Sequence, residues 1–416
     1  MECFMNKKVK IFFANHAQFE AQYTNLGDWA IFEQMIGKLG KFIEEGRVEV
    51  YVPTSDVNYT KEHYPVIPFK RGGITGIFYT LAIIIRSDIV IIGGGEIVQD
   101  KSSIVYIPYQ LIRPFIAKLF GKKLFGYAIG VGKKDEISKF GQLISRFVLN
   151  MFDIITVRDE KSLDILKSFL NVNKPQIYLT ADPALNLQTN KVNFDFKREV
   201  ITVSIRSVYH RNHNFLPFSI RKKLKLVSKQ YYEEIEIFKN TIAQIVTKVV
   251  NKHKYEILFL NTYTGKQMSA EDDIFTKDVI NRLPEDVLGF IHVIPSNYTP
   301  SQIKYCLGHS KLIISVPLHP IILGASEEVP SISLSYASKT ESFMNEIHMD
   351  NYVHSVKNLG DKLDENKLLD DINKILENYS FYKMHISEKI YELKKREEMN
   401  LQLLLELAEV EKGTTC

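Results

Sequence analysis

Short, unbroken apolar runs recur through most of this sequence, and a helical pattern separates each from the next. "VKIFF" (9–13), "VEVYV" (48–52), "DIVIIG" (88–93), "KLFGYAIG" (123–130), "IITVRD" (154–159) and "QIYLTADP" (176–183) read as strands. A strand apolar at nearly every position, rather than at alternate ones, must be covered on both faces. Helices between such strands provide that cover, so the pattern predicts a parallel sheet sandwiched by helices. In the first intervening segment, Phe32, Met35, Ile36, Leu39 and Phe42 share one helical face, with Asp28 placed to cap the helix and Gly46 to end it.

The alternation stops at the polar, aperiodic stretch "LQTNKVNFDFKRE" (187–199), which reads as a linker. It resumes with "VITVSIR" (200–206), "YEILFLN" (255–261), "GFIHVI" (289–294), "KLIISV" (311–316) and "PSISLS" (330–335). The expected fold is α/β: two doubly wound Rossmann-like domains, 1–188 and 199–361, facing a central cleft. A helical tail, 362–416, is expected to pack across their junction. At 416 residues the chain exceeds what one core normally serves.

Composition removes several classes. A net charge of +4 and a pI of 8.6, without a basic stripe, argue against a dedicated nucleic-acid binder. Cys3, Cys306 and Cys416 are scattered without metal-ligand spacing, which suits a reducing, cytoplasmic compartment. The N-terminal "MECFMNKKVKIFFANHA" lacks a signal-peptide pattern. The most apolar stretch, "GIFYTLAIIIRSDIVIIGGG" (76–95), is broken by Arg86, Ser87 and Asp88 into a helix and a buried strand, which argues against a membrane span.

Open α/β sheets bind ligands at the C-terminal ends of their strands, so residues just past strands are the candidates. Gly93, Gly94 and Gly95 follow the 88–92 strand, where unshielded N–H groups can cradle an anion or simply form a tight turn. Asn25, Gly27 and Asp28 lie where the first helix begins. Arg158, Asp159 and Asp182 read first as an internal ion-pair partner, a helix cap and a turn residue. Arg206 ends a buried strand, where a planar guanidinium suits a carboxylate or phosphate. The basic, aromatic segment 207–228, with His210, Arg211 and His213, reads as a covering loop or a solvated insertion.

His319 lies in "SVPLHPIILGA" (315–325), two residues after one proline and immediately before another. Pro320 suits the first helical position, which places His319 at the cap. There the helix dipole keeps an imidazole neutral and able to accept a proton. Tyr336 and Lys339 follow the next strand, where Lys339 can meet an anion.

"NLGDWA", "IIGGGEI", "GYAIGVG", "VRDEKSLDIL", "TADPAL", "VSIR" and "SVPLHPIILGASEEVPSISLSYASKTESFM" occur in this order. Over roughly residues 9 to 347 the set resembles the polysaccharide pyruvyl transferase family. That resemblance implies a fold like the GT-B glycosyltransferases and transfer of pyruvate from phosphoenolpyruvate onto two sugar hydroxyls as a ketal, in cell-surface polysaccharide assembly. It implies no cofactor or metal, phosphoenolpyruvate as donor, and a saccharide acceptor that can be lipid-linked, at the inner face of the membrane. Arg206 would hold the donor and His319 would move protons, with Asn25, Gly27, Asp28, Gly93, Gly94, Gly95, Tyr336 and Lys339 around the substrates. The chain departs from the family at Pro317, where an arginine usually precedes Leu-His, and Lys133, Lys134 and Lys339 are the candidates to replace that charge. Two other readings stand beside this one. One is a GT-B-like glycosyltransferase using a nucleotide sugar; the other is a non-catalytic scaffold whose C-terminal helix binds a partner helix or an anionic membrane surface.

Overall fold

A computed structural model describes residues 8–14, 19–20, 23–100, 103–207, 224–265, 270–356 and 363–409. The first half contributes β1 (Val9–Phe13), β2 (Phe19–Glu20), β3 (Tyr23–Asn25), β4 (Val48–Thr54), β5 (Ile67–Lys70), β6 (Ile89–Gly93), β7 (Glu96–Val98), β8 (Lys123–Val131), β9 (Ile154–Val157) and β10 (Gln176–Leu179). Its main sheet is parallel, in the order β10-β9-β8-β6-β1-β4-β5, with β7 added on β8.

The second half contributes β11 (Val200–Ser204), β12 (Glu256–Phe259), β13 (Tyr263–Gly265), β14 (Ile291–Val293), β15 (Ser310–Ser315), β16 (Ser331–Ser335) and β17 (Val353–Ser355). Its parallel sheet runs β14-β12-β11-β15-β16-β17. Both orders reverse after the third strand: the chain moves outward from β1 to β5, then returns beside β1 as β6. It likewise moves from β11 to β14, then returns beside β11 as β15. Each reversal opens a crevice beyond the strands' C-terminal ends, between β1 and β6 and between β11 and β15. Gly93–Gly95 lie at the first crevice, and Arg206 and His319 at the second.

The long apolar runs became the central strands because both their faces are covered. Phe12, Val90, Ile92 and Leu124 pack under Ile84, Leu111 and Leu149 of the helices Gly73–Arg86, Tyr106–Leu119 and Lys139–Leu149. On the opposite face, Ile11, Phe13 and Ile91 meet Phe32 and Leu39 of the helix Leu26–Glu44. Each such buried side chain contributes about 1.5–3 kcal/mol relative to its exposed state. The strands without a clear apolar run, β5 and β17, lie at sheet edges with a neighbour on only one side. Pro68 within β5 is an edge residue for the same reason. The "QIYLTADP" run stops as a strand at Leu179, since Asp182 and Pro183 open a 3-10 turn, Pro183–Asn186.

The two halves are joined through their backbones. β13 pairs antiparallel with β3, Tyr263 opposite Asn25, and the Leu26 N–H donates to the Thr262 carbonyl at 2.9 Å. The tail forms the helices Glu365–Glu377, Tyr379–Glu397 and Met399–Ala408. Leu403, Leu404 and Leu405 of the last helix are buried in the core. Asn400 accepts from the Thr156 and Thr180 hydroxyls at 2.6 and 3.0 Å, and buried Glu397 meets Lys38 and Asn186. Arg396 donates to the Thr180 carbonyl and to Glu346, both at 2.6 Å, so one side chain ties the tail to both halves. No helix among the described residues is long and apolar enough to cross a membrane.

Candidate functional site

The site begins at the first helix, whose cap differs from the sequence expectation. β3 runs to Asn25, so the helix starts at Leu26 and Asp28 falls inside its first turn. Asn25 is the cap: its side-chain oxygen accepts from the Gly27 N–H at 3.1 Å, while its amide donates to Asp28 at 3.0 Å. Asp28 thereby braces the cap and adds negative charge at the helix's positive end.

Gly27 is there because His319 is. A Cβ at Gly27 would lie 2.1 Å from Cε1 and Nδ1 of the His319 ring, so the first half's helix end sits directly on the second half's histidine. Gly27→Ala is therefore expected to displace the ring and cost about 1–3 kcal/mol, as overpacked interiors do. Gly40→Ala is the control. That glycine lies in the same helix with nothing within 4 Å of the new methyl. Alanine there should be stabilising by roughly 1 kcal/mol. Chemical denaturation of the two variants reads the difference; equal effects would remove the Gly27–His319 packing.

The helix carrying His319 is Leu318–Ala325, capped by Pro317, which places His319 second and Pro320 third. This corrects the expected register by two residues. Pro317 holds an extended conformation at the cap, and Pro320 is tolerated because the first-turn N–H groups have no intrahelical acceptor. Burial pulls the His319 pKa down from 6.5 to about 4; Asp182 opposes this, while Arg158 and Lys339 reinforce it. The ring is neutral at physiological pH. Its Nε2 is buried without a hydrogen-bond partner among the described residues and lies 3.9 Å from Asp182 Oδ2.

Asp182 connects this histidine to a narrow pocket, open to solvent, between the Arg158–Asp159 corner, the 181–185 turn and the helix Ser338–Glu346. Arg158 follows β9 and makes a 2.8 Å ion pair with Asp182, both side chains almost fully buried. Gly130 leaves it room, since a Cβ there would be 2.8 Å from the guanidinium. Asp159 caps its helix by accepting from Ser162 N–H at 2.7 Å. These structural roles agree with the sequence expectation, but the same residues also line the pocket. Lys339, in the first turn of its helix, lines the pocket too and makes no ion pair among the described residues. Glu346 closes one side, its carboxyl pushed up to about 7 by burial despite Arg396. Of the lysines expected to replace the family arginine, Lys133 is paired with Glu341 at 3.1 Å and Lys134 lies over the Phe169 ring. Lys339 is the one in the pocket.

Arg206 is not among the residues lining this pocket. It lies 3.8 Å from Asp272 and 5.2 Å from the Tyr263 ring centre, and Tyr336, just past β16, also acts on Tyr263. Burial pushes the Tyr263 hydroxyl up to about 12, with the Asp28 carboxylate adding to it and Arg206 opposing. Asp28 also acts on His319, opposing the effect of burial on its ring.

The triple glycine serves the fold more directly than an anion. Gly93 has φ +146, and a Cβ there would lie 1.9 Å from the Tyr127 carbonyl oxygen, which itself accepts from the Gly94 N–H at 2.7 Å. The Gly94 N–H is therefore spent on β8, as the tight-turn reading of this stretch expects. Gly95 faces Asp28, whose Oδ1 would be 3.7 Å from a Cβ at that position. His210, Arg211, His213, Cys3 and Cys416 lie outside the described residues.

A sequence profile of the polysaccharide pyruvyl transferases matches residues 25–338, from the Asn25 cap to the start of the last pocket helix. The chain belongs to the polysaccharide pyruvyl transferase family. Membership makes it a polysaccharide-modifying protein with a saccharide acceptor, and Lys339 lies one residue beyond the matched stretch. No curated protein matches it by sequence. Solved structures match it by fold. S. aureus MnaA with UDP is 9% identical, with a TM-score of 0.60 over 98% of this chain and 99% of that one. Anabaena Alr3699/HepE with UDP-glucose is 11% identical, with a TM-score of 0.57 over 96% and 100%. A glycosyltransferase from Rickettsia africae is 10% identical, with a TM-score of 0.54 over 97% and 100%. At such identities these matches speak to the GT-B-like fold alone.

Proposed function

We propose that this chain transfers pyruvate from phosphoenolpyruvate to two hydroxyls of a saccharide, forming a ketal. The observation that carries the reading is a neutral His319, free to accept a proton, set beside a pocket holding Lys339 and Arg158. Phosphoenolpyruvate brings a carboxylate and a phosphate, and cations in a half-buried pocket favour both. Arg206, across Asp28, supplies a third cation at the same seam.

The reaction adds one proton to the methylene carbon of the enol, which leaves cation character at C2. The two sugar oxygens bond to C2, the C2–O bond to phosphate breaks, and two hydroxyl protons are released. One balances the new methyl group and the other leaves on hydrogen phosphate. His319 suits the removal of a hydroxyl proton, since a neutral imidazole is the form that accepts. Asp182 stabilises the imidazolium that results, as the nearest carboxylate. Asp28, Tyr263 and Tyr336 are the candidates to hydrogen-bond an acceptor sugar.

The nucleotide bound by two of the fold relatives supports one rival, a glycosyltransferase using a nucleotide sugar. Thermal shift and phosphate release separate the two. Wild-type protein is expected to be stabilised by phosphoenolpyruvate and to release phosphate when a saccharide acceptor is added. Lys339→Met should weaken the phosphoenolpyruvate response roughly tenfold or more, the loss of one charged hydrogen bond. Stabilisation by UDP-glucose or UDP-N-acetylglucosamine, with none by phosphoenolpyruvate, would sink the proposal.

A further inference from the structure

The helices Gly73–Arg86, Tyr106–Leu119 and Lys139–Leu149 lie side by side on one face of the first sheet, and their inner residues share one core with it. Their outer surface is unusual. In the first helix Ile74, Ile77, Phe78, Leu81 and Ile85 are 36–76% exposed, and their spacing makes them a single stripe. Tyr109, Ile112 and Leu119 repeat this on the second helix, and Phe140, Leu143 and Phe147 on the third, all 46–70% exposed. Apolar stripes at this spacing normally turn toward a core; here three adjacent ones turn away from it, and so many neighbouring exposed apolar side chains mark an interaction surface.

The charge around the stripes indicates what covers them. The three helices contain no Asp or Glu, whereas Arg86, Arg113, Lys118, Lys139 and Arg146 lie on them. Lys70, Arg71 and Lys122 flank them. Arg71 and Arg113 both reach the Tyr109 hydroxyl, at 2.9 and 3.4 Å, which places cations over the apolar band. Asp153, which follows the third helix, is paired with Lys118.

We propose that this three-helix face docks on an anionic lipid bilayer. An apolar band set among cations, with no acids on its helices, is complementary to acyl chains beneath negative headgroups. The helices lie on the surface; they are too short to span it. Exposed Val105, just before the second helix, extends the band. The proposal does not rest on the donor's identity, because binding is read without substrate.

Wild-type protein is mixed with vesicles of phosphatidylcholine alone or of phosphatidylcholine with phosphatidylglycerol, and sedimented. It is expected to pellet with the anionic vesicles and to be released by added salt. The variants Ile77→Ser/Phe78→Ser/Leu143→Ser and Lys70→Glu/Arg86→Glu/Arg146→Glu are each expected to bind roughly tenfold or more weakly, with unchanged melting curves because these side chains are exposed. Hydrogen exchange should slow in residues 73–86 and 106–119 on vesicle addition. Wild-type protein that stays in the supernatant with anionic vesicles overturns the proposal, as do apolar-band variants that bind like wild type. A lipid-free wild-type dimer that the serine variant makes monomeric also overturns it, since a second copy would then cover the face.

Discussion

Replacing Arg158 by methionine is expected to destabilise the fold by about 3–5 kcal/mol, the usual consequence of stranding one member of a buried ion pair. Asp182 would be left at 3% side-chain exposure without the guanidinium now 2.8 Å away. The double variant Arg158→Met/Asp182→Asn should recover most of the loss. Asparagine keeps the oxygen that accepts from the Ala184 N–H, and no charge is left buried. Urea denaturation of the wild type, the single variants and the double variant reads the coupling directly. A loss below about 1 kcal/mol for Arg158→Met would mean that the pair is effectively solvated. The same substitution removes one of the two cations lining the pocket, so the double variant is expected to be folded yet weak in donor binding.

For His319→Gln the expected loss is of activity, by roughly 10²–10⁴-fold, the usual contribution of a positioned acid–base group. Glutamine keeps much of the volume packed on Gly27 but cannot accept a proton at neutral pH. A second readout isolates the histidine's own titration. In the unfolded chain the imidazole takes up a proton below pH 6.5, whereas in the fold it does so only near 4. Unfolding therefore binds a proton between these values. His319 makes the wild type lose stability as pH falls through that window, by roughly 3 kcal/mol in all.

Glu33 and Glu346, both pushed up to about 7 by burial, act in the opposite sense: they lower stability as pH rises from 4.5 toward 7. The difference between wild type and His319→Gln cancels their contribution and leaves that of the histidine. A difference that is flat between pH 6.5 and 4 would mean that water reaches the ring. Bound phosphoenolpyruvate should shrink it, because an anion beside the imidazole favours the charged form.

The central strands needed only local information. Runs such as "VKIFF" and "DIVIIG" are apolar at nearly every position, and a parallel sheet covered on both faces is the arrangement that buries them. The edge strand β5 carries no such run, because a strand with one neighbour does not demand it. The identity of His319 as a candidate was legible too, from its place after a second-half strand and from the ordered motifs around it. So was the pairing role of Arg158, read from an arginine ending a buried strand.

Partnership was not legible, because it depends on groups far apart in the chain. Nothing near Gly27 announces that its missing side chain makes room for a ring 292 residues later, a separation read from the numbering of Gly27 and His319. Helix register near Asp28 was decided by where β3 ends, which its pairing with β13 sets. Lys339 could be told from Lys133 and Lys134 only once Glu341 and Phe169 were seen to hold the other two. The outward stripes on the 73–149 helices carry an ordinary core spacing, and the sequence gives that spacing no direction. Local apolar pattern determines which elements form. Which side of each element meets protein, and which charges meet each other, is a property of the packed whole.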